Sequence, residues 1–432
     1  MSTADTSTES LNFAGEIVLR KIELLSSANF KLDIRDQILS IEVYEDIFSP
    51  FITMAVTLRE SLDFINVLPI RGEEIITIEL ATPTFNKPNT TISGKFYVYK
   101  LADRELITDR NSVYTLYCVS YEALTDLNVK LSKANKGNIA EIAASLLGKD
   151  GLNTEKNINI EPTQNTTKYI SNFWSPIKNL NYIAATAINK NDNPTYLFFE
   201  NREGFNFVSL DLLYDLPVYQ TFTDSSYVRD TLPDGKSIRN IQKEYQQIIE
   251  IKVRTNFDIL KNINAGTYAS RIYSYDMLRK KYYVKDYVAY DEFGEINHLN
   301  DFSINSDQLP TKPVNFIYNN VRHFSVFNGF NDVSNTETMQ ARASAIQLLK
   351  SNMIEIRVNG RTDYTVGQKV YIEVPKPAPI NENDTADLNN ATGMIDSMLS
   401  GNYLITAINN IINRIFQLFA TKWTLCPVGA SI

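Results

Sequence analysis

A chain of 432 residues, 44% apolar and 21% charged, has the composition of a folded protein of about three domains rather than a disordered one. Its net charge of −8 argues against nucleic-acid binding, which needs clustered Lys and Arg, and two cysteines, Cys118 and Cys426, cannot build a disulfide framework. No apolar run approaches the ~18–20 residues of a membrane-spanning helix.

Residues 1–13 are polar and acidic, lack the basic and apolar regions of a signal peptide, and predict a mobile N-terminal arm. Residues 14–121 predict a first antiparallel β-barrel. Apolar residues alternate at Leu39-Ile41-Val43, Ile52-Met54-Val56-Leu58, Ile76-Ile78-Leu80, Phe96-Val98 and Tyr114-Leu116-Cys118. Ser49-Pro50, Arg71-Gly72 and Ser93-Gly94 supply turns, and a helical turn is expected within 58–65. Residues 122–236 change period and predict a small α/β domain. Asn138 caps a helix near 138–148, Ser175-Pro176 opens another near 176–190, and a hairpin near 195–209 turns across Asn201-Arg202-Glu203-Gly204.

Residues 237–262 and 335–432 predict a second barrel, interrupted by a weakly periodic insert domain at 263–334. Ser334-Asn335-Thr336-Glu337 is a capping box ahead of an amphipathic helix with Met339, Ala343, Ile346 and Leu349 on one face. A strand at 353–358 leads through Asn359-Gly360-Arg361-Thr362 to a second at Val370 and Ile372. A long polar loop, 375–400, precedes strands at Gly401-Asn402-Tyr403-Leu404-Ile405 and at 415–418. The fold class is therefore mainly β with α+β parts: two antiparallel, tube-type β-barrels, an α/β domain between them and an insert in the second. The abundance of Tyr and Phe suits pleated surfaces and subunit contacts. Residue identity between the two β regions is too low to define a repeat.

Chemistry-bearing patterns are scarce, and no catalytic, cofactor-binding or metal-ligating residue is assigned. His298 and His323 lie in the weakly periodic stretch without partners at zinc or triad spacing. Asp234-Gly235-Lys236-Ser237 matches the end of a phosphate loop, but Asp230 stands where its first glycine belongs, so it reads as a turn. Asp291-Glu292-Phe293-Gly294-Glu295 lacks calcium-loop spacing and reads as a polar turn. Arg279-Lys280-Lys281 with Lys285 reads as a solvated, salt-bridged face. The Asn-x-Thr matches at Asn89 and Asn165 read as chance.

The order of parts resembles the central baseplate hub of contractile-tailed phages of the T-even type, related in fold to the N-terminal part of VgrG spike proteins. The stretches that carry the resemblance are Phe173-Trp174-Ser175-Pro176, Gly266-Thr267-Tyr268-Ala269-Ser270 with Tyr275-Asp276, Gly360-Arg361-Thr362, Val366-Gly367-Gln368-Lys369-Val370 and Ser400-Gly401-Asn402-Tyr403. The resemblance implies a non-enzymatic virion protein, made in the host cytoplasm and housed in the tail baseplate. It implies a homotrimeric ring that adapts a sixfold tail tube to a threefold central spike. Partners would be the spike, a tube or tube-initiator protein and the surrounding wedge proteins. No membrane is involved, and DNA is only passing cargo. The alternative is another tail protein, such as a tube or tube-terminator subunit. A tail-associated cell-wall or glycan hydrolase with an unrecognised carboxylate pair ranks below both.

Overall fold

A computed structural model of the chain describes residues 13–61, 65, 70–82, 91–108, 111–224, 229–231, 237–255, 258–276, 280–293, 313, 315–320, 335–375, 395–396, 398–413 and 418–428. Several expectations fall outside the described residues: residues 1–12 of the arm, residues 62–64 of the turn within 58–65, most of the loop at 375–400, residues 415–417, both histidines, Asn89, and Asp234-Gly235-Lys236.

The first seven strands are β1 (Val18–Leu25), β2 (Lys31–Asp33), β3 (Ile38–Asp46), β4 (Thr53–Glu60), β5 (Ile75–Ala81), β6 (Thr91–Thr108) and β7 (Asn111–Ser120). Side-chain alternation decides what each buries. On β4, Met54, Val56 and Leu58 are buried, whereas Thr53, Ala55 and Thr57 lie on the other face and are half-buried. Tyr114, Leu116 and Cys118 of β7 point into the same core as Ile22, Ile41 and Ile78. Cys118 is a small apolar filler there, and burial pushes its thiol well above the usual range. Ile412 and Phe419, from the far end of the chain, complete this core.

Next come α1 (Tyr121–Asn128), β8 (Ala134–Asn138), α2 (Ile139–Leu147), β9 (Ile158–Ile160), β10 (Thr166–Ile170), α3 (Pro176–Ala184), β11 (Tyr196–Asn201), β12 (Gly204–Ser209) and α4 (Leu210–Asp215). Asn138 caps α2 by accepting the Ala140 amide, and Ser175 caps α3 by accepting that of Lys178, with Pro176 at its first position. The α3 helix stops six residues short of the expected end. The buried Asn165 amide explains why: its Nδ2 donates to Thr186 O at 2.7 Å, and its Oδ1 accepts from Ile188 N at 3.0 Å. It therefore satisfies the chain past the last helical turn. Ala187 and Ile188 still pack inward from a turn. In the β11–β12 hairpin, Gly204 has φ +136°, and a Cβ would sit 2.1 Å from the Asn157 carbonyl oxygen. Gly204→Ala is expected to lower stability by about 1–3 kcal/mol in urea unfolding.

The remaining elements are β13 (Val218–Thr223), β14 (Arg229–Thr231), β15 (Ser237–Arg239), α5 (Ile241–Gln246), β16 (Ile248–Thr255), α6 (Ile259–Ala265), β17 (Ala269–Asp276), β18 (Lys281–Val288), β19 (Asn315–Asn320), α7 (Asn335–Leu349), β20 (Met353–Asn359), β21 (Lys369–Glu373), β22 (Gly401–Asn413) and β23 (Leu418–Val428). The stretch that looked weakly periodic holds a three-stranded sheet, β18-β17-β19. Helix α7 departs from the expected apolar stripe: Met339, Ala343 and Ile346 are only half-buried, while Thr338, Gln340 and Ser344 are buried with Leu349. Its inner face is a hydrogen-bonding face. Gln340 Nε2 donates to Ser270 O (2.9 Å), and Ser344 Oγ donates to Thr267 O (2.6 Å). On the other side Arg342 donates to the carbonyls of Pro194 and Tyr196. These bonds seat the Gly266-to-Ser270 motif against the helix.

The sheet pairings contain one topology twice. The path β3-β4-β7-β6-β5 and the path β16-β20-β23-β22-β21 join five strands in the same chain order, every contact antiparallel. In each, the first and second strands pair, the fifth follows, and the fourth and third close the row. The described pairings do not close either path on itself. Instead β22 pairs with β3 from Ala407↔Asp46 to Asn413↔Ser40, so one 13-stranded sheet spans two cores. The second core is built on Ile354, Ile356, Val370, Leu404, Ile408, Trp423 and Leu425, and β13 joins it by pairing parallel to β21.

Candidate assembly site

Two buried polar clusters lock these units together. At the first, the Glu45 carboxylate near the end of β3 accepts Thr365 Oγ1 at 2.7 Å and the amides of Arg202 and Val366 at 3.4 and 3.5 Å. Burial raises the Glu45 carboxyl above its usual range, opposed by the Thr365 hydroxyl and the Arg202 charge. Arg202 also donates to Asp363 O at 3.1 Å, tying the β11–β12 turn to the loop before β21. In that loop Arg361 Nε donates to Asp363 Oδ1 at 2.9 Å, and its Nη1 donates to Gln220 Oε1 at 2.7 Å. The guanidinium lies against the rings of Tyr245 and Tyr364, at 5.6 and 4.9 Å.

The Gly360-Arg361-Thr362 motif thus has a local cause at each residue. A Cβ at Gly360 would meet the Phe419 ring at 2.4 Å, and Thr362 exchanges hydrogen bonds with Thr82 of the first β region. Gly367, at φ +88°, turns the chain so that its amide reaches Ile405 O at 2.9 Å, and Gln368 Oε1 accepts the Thr365 amide.

At the second cluster Lys156 Nζ bridges Glu122 Oε2 of α1 and Glu200 Oε1 of β11, both at 2.6 Å. Glu200 Oε2 also accepts the Ile52 amide, one residue before β4, at 3.0 Å. Burial raises the Glu200 carboxyl, opposed by Lys156; burial would lower the Lys156 ammonium, but Glu200 and Glu122 together raise it. These ions are geared to holding elements together. Among the described residues no group of three or more His, Cys, Asp or Glu is placed to hold a metal ion, and no helix is long and apolar enough to cross a membrane.

Two of the open sheet edges among the described residues belong to strands of the two five-strand paths. Strand β16 pairs only with β20 among the described residues, and Ile249 and Val253 on it are exposed. Strand β6 pairs with β5 only from Thr91 to Tyr97; beyond that it pairs only with β7 among the described residues, and Leu106 and Ile107 are 76% and 55% exposed. Large apolar residues standing on unpaired strand edges are the usual mark of a contact with another chain. Sequence alternation carried no signal for the open edges.

No family model matches the chain. A sequence relative is the probable baseplate hub protein gp334 of Vibrio phage KVP40, 21% identical over 391 residues, which cover 84% of this chain and 86% of that protein. This chain is a distant homologue of a phage baseplate hub protein. Solved structures agree in fold. A tail protein from Neisseria meningitidis MC58 has a TM-score of 0.52 at 9% identity, covering 95% of this chain and 97% of its own. The 43 kDa tail protein of prophage MuSo2 from Shewanella oneidensis has a TM-score of 0.50 at 11% identity, covering 95% and 99%. The chain is thus a hub-like structural protein of a phage tail, mainly β with some helices.

The charged face expected around Lys281 and Lys285 is solvated, but its ion pair is Arg271–Asp286 across β17 and β18, at 2.6 Å. Asp291 and Phe293 lie in consecutive turns. Asn165, buried and doubly bonded, serves the end of α3.

Proposed function

We propose that three copies of this hub-like chain form a ring that adapts a sixfold tail tube to a threefold central spike and leaves a lumen for passing DNA. The observation that carries this reading is the doubled five-strand topology. Each copy supplies two like arcs in one sheet, so a three-copy ring presents six like arcs on one face and three copies on the other.

The contact between copies has a template inside the chain. In the doubled topology β22 corresponds to β6, and β3 to β16. The distal half of β22 pairs with β3 within the chain. The equivalent contact joins the distal half of β6 in one copy to β16 in the next, and both of these edges are open among the described residues. Head-to-tail contacts of this kind close into rings when the rotation fits. Closure covers these two edges and completes each barrel-like arc around its core. The relative's name supports a place in the tail baseplate. The proposed neighbours there are the spike, a tube or tube-initiator protein and wedge proteins. A tube or tube-terminator subunit needs one such arc per chain, and the second arc favours the hub.

Exchanging Leu106 and Ile107 for Asp tests the contact. Both side chains are exposed, so the fold should change by no more than about 0.5 kcal/mol. Light scattering should nevertheless report a single chain in place of three. A variant that stays trimeric would remove β6 from the interface.

A further inference from the structure

The β8–β10 ribbon carries a bulge whose outward residue finds no packing partner among the described residues. Ile170 lies opposite Ala134, and Trp174 opposite Leu131. Ser171, Asn172 and Phe173 therefore face only Ser132 and Lys133, a bulge with one extra residue. Phe173 occupies the left-handed region of that bulge at φ +53°. A glycine is the residue suited to this position, and an aromatic side chain is strained in it. The phenylalanine gains nothing by burial, because it is 70% exposed.

Its backbone is nonetheless held firmly. Ser171 N donates to Lys133 O at 2.8 Å, and Leu131 N to Trp174 O at 2.9 Å. Trp174 packs against Tyr169 and Tyr182, and Ser175 caps α3. A rigid frame thus points a bare aromatic ring at solvent. Ile170, 69% exposed, stands beside it, and Leu127 is exposed one residue after Asp126, whose carboxylate accepts the Ile177 amide at 2.7 Å.

Lysines near the bulge outnumber the acids, Lys130, Lys133 and Lys178 against Asp126 and Asp150. Lys133 lies opposite the bulge, Lys178 Nζ sits 5.1 Å over the Trp174 ring, and exposed Lys130 precedes Leu131. Asp150 offsets Lys133. On a chain of net charge −8 this is a local reversal of sign.

We propose that Phe173 is a preorganised anchor for a different protein of the tail, one that presents an apolar pocket rimmed by carboxylates. The strain is held in the free chain and the backbone that carries the ring is already fixed, which lowers the ordering cost on docking. Lysines at the rim select an acidic partner and exclude another basic surface. This surface is separate from the β6 and β16 edges, so it stands whether or not the ring closes through them.

The test uses the full chain with Phe173→Gly, Phe173→Asn as a second variant, and a benzoylphenylalanine photo-crosslinker at position 173 in assembled tails. Glycine and asparagine tolerate the left-handed region, so neither variant should lose Tm or change the native mass of the purified chain. Incorporation of the variants into tails should fall about tenfold or more. Irradiation should join position 173 to a different tail protein, at a segment with Asp or Glu beside apolar residues. A lower Tm in both variants would assign Phe173 to the fold instead. A crosslink to a second copy of this chain, or no crosslink in assembled tails, would overturn the proposal.

Discussion

Trp423→Ala is expected to remove about 3–5 kcal/mol of folding stability, the largest loss from any single truncation in the second core. Trp423 on β23 has no exposed surface and meets two rings edge-on: Phe222 of β13 at 5.0 Å and Tyr364 of the loop before β21 at 4.7 Å. It therefore joins three segments that are distant in sequence. A cavity there could not collapse without pulling β13 from β21, so the transfer loss and the cavity loss add. Trp423→Phe should cost much less, because it keeps most of the packing. It also removes an indole N–H that finds no acceptor among the described residues. Urea unfolding of the two variants side by side reads the difference. Equal losses would show that the indole shape, not the buried volume, holds the three segments.

Lys156→Met should destabilise the chain by about 3–5 kcal/mol at neutral pH, and most of the loss should disappear in acid. The substitution leaves Glu200, 1% exposed at its side chain, facing Glu122 with no cation between them. Burial already raises the Glu200 carboxyl in the native chain, with Lys156 opposing that rise. Without Lys156 it rises further. A carboxyl whose pKa is higher folded than unfolded binds more protons in the folded state. Its contribution is therefore complete below the unfolded value and is lost as pH rises through the folded one. Stability of the variant, relative to the native chain, should recover as pH falls from 7 toward the unfolded carboxylate range. A pH-independent loss would mean that packing of the lysine stem, rather than its charge, holds α1 to β11.

The elements that were legible in the sequence are those whose signals are local. Asn138 and Ser175-Pro176 fix helix starts through their own amide bonds, and alternation at Met54-Val56-Leu58 fixes which face of a strand is buried. What escaped was non-local. The ordering of the chain past α3 is set by Asn165, just before β10 and 21 and 23 residues from its two partners. The polar inner face of α7 answers carbonyls of Thr267 and Ser270, so its buried residues carry no apolar period. The β22–β3 junction pairs residues more than 350 positions apart, and register between distant strands leaves no local trace. The doubled topology is legible only once that pairing is known, because the two paths share connectivity without sharing residues. The assembly site was invisible for the same reason: Leu106 and Ile107 fall in none of the alternating runs, and they stand out only once the edge they occupy is seen to be open.

The proposed ring holds three copies, each contributing two like arcs joined edge to edge through β6 and β16. Projection images of the purified assembly along its axis distinguish it from the alternatives. A particle of three times the 49.2 kDa chain is expected, with a six-lobed outline that averages cleanly only under threefold symmetry. A stable single chain, or a ring with true sixfold symmetry, would contradict it.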